Sequence, residues 1–117
     1  MTTAIDSLLP ETQPLQARAA EATRFLKLLA NQDRLMVVCA LVTGERSVRD
    51  LEDSLGIRQP GLSQQIAGLR EAGIIQGRKA GKHIFYHLAD PKAAEVVATL
   101  YRLFCAPGAA EKEGSND

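Results

Sequence analysis

Sulfur and aromatic side chains are scarce in this chain. Its 117 residues include two cysteines, two methionines and no tryptophan, and aromatic residues make up only 4%. Cys39 and Cys105 are far apart in sequence, so the close Cys-x-x-Cys pair of thiol oxidoreductases is absent. A phosphate-binding glycine loop and a Ser-His-acid arrangement are also absent. We therefore expect neither enzymatic activity nor a cofactor.

Long apolar runs are missing as well. No stretch approaches the roughly 20 apolar residues that span a bilayer. The opening residues, MTTAIDSLLPETQP, have neither the basic region nor the apolar region of a signal peptide. The sequence thus predicts a cytoplasmic protein without a membrane partner. In that compartment, paired thiols are more often catalytic, metal-binding or redox-sensing than structural disulfides.

An excess of one charge is missing too, because 14 basic and 14 acidic residues cancel. This balance argues against a uniformly basic nucleic-acid binder but allows a locally basic surface. Residues 58–82 contain five basic side chains and one acidic side chain, that of Glu71. Three of the basic side chains, Arg78, Lys79 and Lys82, surround a predicted turn. Positive charge is therefore concentrated in one segment.

Helical periodicity dominates the rest of the chain. Residues 15–30, rich in alanine and leucine, predict a first helix, and Asn31 is a suitable N-cap for a second. The final helix, PKAAEVVATLYRLFC, begins at Pro91, a residue favoured in the first turn of helices. We expect one domain flanked by a disordered arm and a disordered tail, over residues 15–106, 1–14 and 107–117 respectively.

Two short helices flank a glycine turn in the middle of the chain. Ser47 caps the helix VRDLEDSL, which ends at Gly56, and Pro60 begins the helix PGLSQQIAGLREAG. Each helix has an apolar stripe at helical spacing, so the two can pack on each other and on a core. A helix, a glycine turn and a second helix form the outline of a helix-turn-helix.

A β-hairpin is predicted directly after these helices. The segment GIIQGRKAGKHIFYHL predicts two short strands around Ala80-Gly81, with Ile84, Tyr86 and Leu88 on one side of the second strand. A hairpin that follows a helix-turn-helix makes a winged helix. The predicted fold is therefore mainly α with a small β-hairpin, a winged helix-turn-helix in the order α-α-α-α-β-β-α.

The second helix of the pair and the hairpin are the predicted DNA-binding surface. The helix face opposite Leu62 and Ile66 has small and polar residues, which allow close approach and hydrogen bonding to base edges. Basic residues near the hairpin turn suit phosphates or the minor groove. An ordinary solvated face is the alternative, as is a protein-interaction module. The predicted DNA-binding residues are Arg58, Gln59, Ser63, Gln64, Gln65, Arg78, Lys79 and Lys82.

Most of the chain, roughly residues 15–105, resembles the ArsR family of bacterial winged-helix repressors. The similar segments are KLLANQDRLMVVCAL and SVRDLEDSLGIRQPGLSQQIAGLREAGIIQGRKAGKHIFYHL. Two residues depart from the family pattern: Arg58 replaces a frequent capping serine, and Gln65 replaces a frequent histidine. These two departures bear on which operator sequence the protein would bind and not on the predicted fold. The resemblance implies a homodimer that uses its first and last helices and binds palindromic, double-stranded operator DNA.

Metal sensing, common in this family, has little support in the sequence. A metalloid site of the family has a CxC motif where this chain has Ser47 and Arg49, and residues 91–105 contain no histidine for a zinc site. His83 and His87 are four residues apart on a strand, which separates them by about 13 Å. We therefore expect no metal site, although a metal- or metalloid-responsive repressor stays open as an alternative.

Cys39 and Cys105 are the remaining candidate effector residues. A free cysteine is often a small core residue, and Cys39 shares a helix face with Leu35 and Val42. The segments RLMVVC and LYRLFC resemble those of the dithiol ArsR repressors that sense reactive sulfur species.

That resemblance implies that the reduced protein binds its operator and releases it once a disulfide or polysulfide bridge, formed by persulfides, joins the two thiols. It also implies control of genes for sulfide oxidation and persulfide removal. A general thiol-redox repressor is the second alternative. The helix dipole opposes a thiolate at Cys105, and Arg102, one turn earlier, is the nearest residue able to offset it.

Overall fold

A computed structural model describes residues 13–105, which belong to two compact units that divide between Ala30 and Asn31. The expected tail, residues 107–117, lies outside the described residues. The expected N-terminal arm is described only at Gln13 and Pro14, and these two residues begin a helix. No helix within residues 13–105 combines the length and the apolar character needed to cross a membrane.

Residues 13–30, the described part of the first unit, form two helices, α1 (Gln13–Ala17) and α2 (Ala19–Leu29), where a single helix was predicted. The interruption is at Arg18, whose φ of −106° and ψ of 8° depart from helical values. Its backbone N–H donates to the carbonyl of Leu15 at 3.0 Å, three residues back. This tighter turn interrupts the regular four-residue spacing of helical hydrogen bonds.

The second unit contains the remaining helices and a small sheet. Its elements in chain order are α3 (Gln32–Val42), β1 (Arg46–Ser47), α4 (Val48–Leu55), α5 (Gly61–Glu71), β2 (Ile75–Ala80), β3 (His83–Leu88) and α6 (Pro91–Cys105). The predicted winged helix-turn-helix is therefore confirmed, with α4 and α5 as the helix pair and β2 and β3 as the wing.

The predicted helix starts are confirmed by their caps. The Asn31 side chain accepts a hydrogen bond from the backbone N–H of Arg34 at 3.0 Å. Ser47 Oγ accepts from the N–H of Asp50, and the Asp50 carboxylate accepts from the N–H of Ser47, both at 3.1 Å. This reciprocal capping box begins α4. Gly56 ends α4 at a φ of 69°, a left-handed conformation that favours glycine.

The core surrounds α3, which packs against α4, α5, α6 and β3. Apolar spacing along each helix places one face inside, as the helical periodicity predicts. The buried apolar residues of this unit are Val37, Val38, Leu41, Leu51, Leu62, Ile66, Leu69, Ile74, Ile75, Tyr86, Ala93 and Val97.

The sheet is antiparallel with the strand order β1-β3-β2. The hairpin closes between Ala80 and His83, which are register partners, and Gly81 has a φ of 64° in the two-residue loop. The third strand, β1, pairs with β3 and was not predicted, because two residues are too short for a recognisable strand pattern. The hairpin is thus joined to the segment that leads into the helix-turn-helix.

Candidate nucleic-acid interface and cysteine pair

Helix α5 has one buried face and one solvent-facing face. Leu62, Ile66 and Leu69 are at most 3% exposed, and they anchor α5 on α3. Ser63 and Gln64 are exposed on other sides of the helix. The direction of the exposed face is therefore set by the packing of the buried one.

Gln59 has a structural role that the sequence did not reveal. Its side-chain Oε1 accepts a hydrogen bond from the backbone N–H of Ser63 at 3.0 Å, at the beginning of α5. Helix starts leave backbone N–H groups without helical partners, so this bond satisfies one of them. Gln59 therefore stabilises the start of the helix through its Oε1 atom, and this bond does not use the two N–H donors of its side-chain amino group.

Gln65 is held by a residue of α3 that no sequence motif singled out. The Arg34 Nε donates to Gln65 Oε1 at 2.8 Å, and both residues are half-buried. The Arg34 guanidinium also lies beside Gly68, where a Cβ would be 3.5 Å from its Nη2. No local pattern predicts this contact, since the two residues are 31 positions apart.

The basic residues of the wing differ in their surroundings. Arg78 donates to both carboxylate oxygens of Glu45, at 2.8 Å and 3.2 Å, and its Cζ lies 5.4 Å from the ring centroid of Phe85. The hydrogen bond from Arg78 is the main cause that lowers the pKa of Glu45. Lys79 and Lys82, by contrast, are exposed and form no ion pair within residues 13–105.

Arg58 is also exposed, in the loop between α4 and α5. Of the predicted DNA-binding residues, Arg58, Lys79 and Lys82 therefore have cations that no carboxylate of the described chain engages, whereas Arg78 is held by a partner within the chain.

The histidines do not lie in a cluster of metal-binding side chains. His87 Nδ1 is 3.7 Å from Glu45 Oε2 and has no hydrogen bond within the described residues. The His83 ring lies edge-on to Phe85, with 6.5 Å between the centroids. Among residues 13–105, no group of three or more His, Cys, Asp or Glu side chains could hold a metal ion.

The two cysteines lie on helices that pack against each other. Cys39 is in the second half of α3 and half-buried, and Cys105 is the last residue of α6 and exposed. Both are free thiols, and α3 contacts α6 directly. Burial raises the pKa of the Cys39 thiol, and the charge of Cys105 raises it further. The two thiols therefore belong to neighbouring helices of the same unit.

Arg102, the nearest residue able to offset the helix dipole at Cys105, has a hydrogen-bond partner on its own helix. The guanidinium Nη2 of Arg102 donates to Thr99 Oγ1 at 3.2 Å, one turn earlier in α6. The arginine therefore extends back along the helix, because a threonine hydroxyl at this spacing offers a local acceptor.

Known proteins with similar sequences identify the family of this chain. A sequence profile described as "Bacterial regulatory protein, arsR family" matches residues 31–76, which include the helix-turn-helix. The biofilm growth-associated repressor of Agrobacterium fabrum is 53% identical over 93 residues, which are 80% of this chain and 80% of that protein. The chain belongs to the arsR family of bacterial regulatory proteins.

This arsR-family chain is also similar to solved structures, both in sequence and in fold. The transcriptional repressor BigR from Xylella fastidiosa is 49% identical, with a TM-score of 0.79 over 82% of this chain and 98% of that one. Reduced HlyU from Vibrio cholerae is 35% identical, with a TM-score of 0.74 over 80% of this chain and 98% of that one. The predicted family and fold are thus confirmed.

Proposed function

We propose that the chain is a homodimeric repressor that binds operator DNA while Cys39 and Cys105 are thiols. Release follows when a persulfide or polysulfide donor bridges the two sulfurs. The observation that carries this proposal is the placement of two free cysteines on helices α3 and α6, which pack directly against each other. The names of the similar proteins, which include two repressors, support the assignment to gene repression.

The DNA contact we propose uses α5 for base edges and the hairpin for the backbone. Its support is the outward face of α5, with Ser63 and Gln64 exposed, and the exposed cations at the hairpin. Lysine and arginine side chains that neutralise phosphates release counterions, so binding weakens as salt increases. Ser63 and Gln64 then contribute to sequence recognition, whereas Lys79 and Lys82 contribute mainly to affinity.

The homodimer we propose is supported by apolar side chains that the described chain leaves in solvent. Tyr101, Leu103 and Phe104 of α6 are 60–65% exposed, next to Cys105. Leu15 of α1 and Leu26 of α2 are more than half exposed. Apolar clusters of this kind on short chains are typical of subunit interfaces.

The bridging chemistry needs a donor of the class RSSH. The Cys105 thiolate attacks the sulfane sulfur, the S–S bond of the donor breaks, RSH leaves, and Cys105 becomes a persulfide. The Cys39 thiolate then attacks the Cys105 sulfur, which forms a disulfide and releases hydrogen sulfide. The two thiols are oxidised and the sulfane sulfur is reduced. We assign the first attack to Cys105 because it is exposed, whereas Cys39 is half-buried with a raised pKa.

A longer bridge follows if both thiols first become persulfides. One further RSSH then oxidises the pair, so that a tetrasulfide forms while RSH and hydrogen sulfide leave. A direct disulfide requires Cα atoms within roughly 7 Å, whereas extra sulfur atoms can span a wider gap. Either bridge ties α3 to α6, and it changes DNA affinity only if it fits the DNA-bound shape less well than the released one.

Single substitutions of the cysteines test the switch. Cys39→Ser and Cys105→Ser are expected to bind DNA as the reduced wild type does and to keep binding after treatment with glutathione persulfide. Binding is measured by fluorescence anisotropy on operator DNA at fixed salt. Ala98→Ser, an exposed change on α6, is the matched control and is expected to retain the response. Release of DNA by either cysteine variant would rule out the dithiol switch.

Intact-mass spectrometry identifies the effector. After glutathione persulfide we expect each chain to lose the two thiol hydrogens, and to gain two sulfur atoms where the bridge is a tetrasulfide. Equal release of DNA by hydrogen peroxide would instead favour a general thiol-redox repressor. Stoichiometric binding of zinc or arsenite by the purified protein would favour a metal-responsive one.

A further inference from the structure

The contact between Arg34 and Gln65 determines which side-chain atoms of Gln65 are available to a ligand. Arginine has only donors, so the Gln65 atom that faces the Arg34 Nε at 2.8 Å is the carbonyl oxygen. The side-chain amino group of Gln65 makes no hydrogen bond within residues 13–105. Gln65 therefore has two unused donors, while one of the two lone pairs of its carbonyl oxygen is engaged.

The environment holds this orientation in place. Arg34 is in the first turn of α3, and that turn is capped by Asn31. Its guanidinium lies against α5 beside Gly68, where no side chain competes for the space. Both partners are half-buried, so the bond is partly shielded from water. If the Gln65 amide were rotated by 180°, its amino group would face the donating Arg34 Nε. The hydrogen bond would then be lost, and the two donors would repel each other.

We propose that Arg34 fixes the carboxamide of Gln65 so that Gln65 presents its amino donors to DNA and selects a guanine or thymine. This inference rests on the proposed binding of DNA by α5. In the major groove, guanine presents N7 and O6 and thymine presents O4, which are acceptors. Cytosine presents only an amino group and adenine presents an amino group beside its single acceptor N7, so both face the donors of Gln65 less favourably.

The base preference proposed for Gln65 differs from the preference that glutamine usually shows in the major groove. A glutamine with both amide atoms available pairs with adenine through N6 and N7. Here one lone pair of the carbonyl oxygen is engaged with Arg34 and the amide is held in that orientation, so the two-bond pairing with adenine is disfavoured. Gln65 consequently distinguishes keto bases from amino bases, and Arg34 is the positioning residue that sets this distinction without a base contact of its own.

The experiment is a selection from an operator library with randomised bases, using the reduced full-length protein and sequencing the bound DNA. The wild type is expected to favour guanine or thymine at one position per half-site by about ten-fold. Gln65→Glu keeps an acceptor toward Arg34 but offers no donor, so the preference at that position should invert to adenine or cytosine. Gln65→Met should abolish the preference there.

Arg34→Met tests the positioning role. Without the arginine the amide can turn over, so adenine should become as acceptable as guanine at the same position. Arg34→Gln places a side chain at this half-buried site that can either donate or accept, so it favours neither orientation of Gln65 and decides the question if Arg34→Met does not fold. Arg49→Met, a change of an exposed arginine on α4, removes the same charge and should leave every base preference unchanged.

The possible results separate this inference from the proposed function. Unchanged preferences in Gln65→Glu would overturn base recognition by Gln65, and continued exclusion of adenine in a folded Arg34 variant would overturn the positioning role. If the reduced wild type binds no DNA in a salt-dependent way, the proposed function fails, and this inference fails with it.

Discussion

Glu45 and Arg78 form a contact that would compete with DNA for a wing cation in the proposed complex. Two nitrogen donors of Arg78 face the Glu45 carboxylate, and the guanidinium lies over Phe85. Exposed ion pairs are weak in water, so a phosphate can replace the carboxylate at modest cost. Arg78 is therefore available to DNA only after it leaves Glu45.

Glu45→Gln is expected to strengthen DNA binding, because the neutral amide holds Arg78 less firmly. If Arg78 then reaches a phosphate, the dependence of log affinity on log salt should steepen by about one unit. A salt titration of binding measures this. Glu95→Gln on α6 removes an exposed negative charge without touching Arg78, and an identical effect of both variants would show that only net charge matters.

Asp50 links the stability of the helix-turn-helix to pH. Its hydrogen bonds with Ser47 lower its pKa below the ordinary value of 3.8. A lowered folded-state pKa stabilises the fold above the unfolded-state value, and the stabilisation is lost as the pH falls through the folded-state value. The capping box is therefore intact at neutral pH and is lost only in strong acid.

Asp50→Asn should lower the melting temperature at neutral pH and flatten its decline in acid. Ser47→Ala, which removes the cap itself, should cost about 1 kcal/mol of unfolding free energy. Thermal melts followed by circular dichroism between neutral and acidic pH measure both effects. Asp53→Asn changes an exposed carboxylate on the same helix, and a loss as large as that of Asp50→Asn would argue against the capping explanation.

At the scale of elements, the hairpin depends on a glycine in its first strand. A Cβ at Gly77 would lie 2.9 Å from Ile84 Cγ2 and 3.0 Å from Tyr86 Cε1. Tyr86 is buried, so its ring has little room to move. The absence of a side chain at Gly77 lets β2 lie flat against the side chains of β3.

Gly77→Ala is accordingly expected to destabilise the protein by about 1–3 kcal/mol, as overpacking does. Gly68→Ala in α5 is the matched control, because its Cβ would make an ordinary contact with Arg34 at 3.5 Å. That change should stabilise the helix by about 0.5–1 kcal/mol. Urea denaturation of the two variants gives the comparison, and equal stabilities would contradict this account of Gly77.

At the scale of the whole molecule, the end of α6 combines the thiol with exposed apolar residues. Phe104 is 60% exposed and directly precedes Cys105. If a second copy covers this surface, a bridge to Cys39 acts on an element that also joins the subunits. Bridging and subunit geometry would then be coupled through α6.

Phe104→Glu should convert the proposed dimer to monomers, because a charge would be buried in an apolar interface. Sedimentation velocity measures the change, and DNA affinity should fall with it. Ile84→Glu, at an exposed apolar position of the hairpin, is the control and should remain dimeric. A dimeric Phe104→Glu variant would place the interface elsewhere.

Local features of this protein were predictable from the sequence. Asn31, Ser47 and Gly56 mark helix ends because a cap involves residues within one turn of each other. The apolar stripe of α5 and the hairpin turn likewise depend on short spacings. The winged helix-turn-helix and the family followed from these features.

The tertiary structure alone decided which distant side chains meet. Arg34 with Gln65 and Glu45 with Arg78 join positions more than 30 residues apart, and the strand β1 exists only because β3 pairs with it. The placement of Cys39 and Cys105 on neighbouring helices likewise follows from the packing of α3 on α6. Such contacts depend on the relative placement of whole elements, which short-range spacing does not specify.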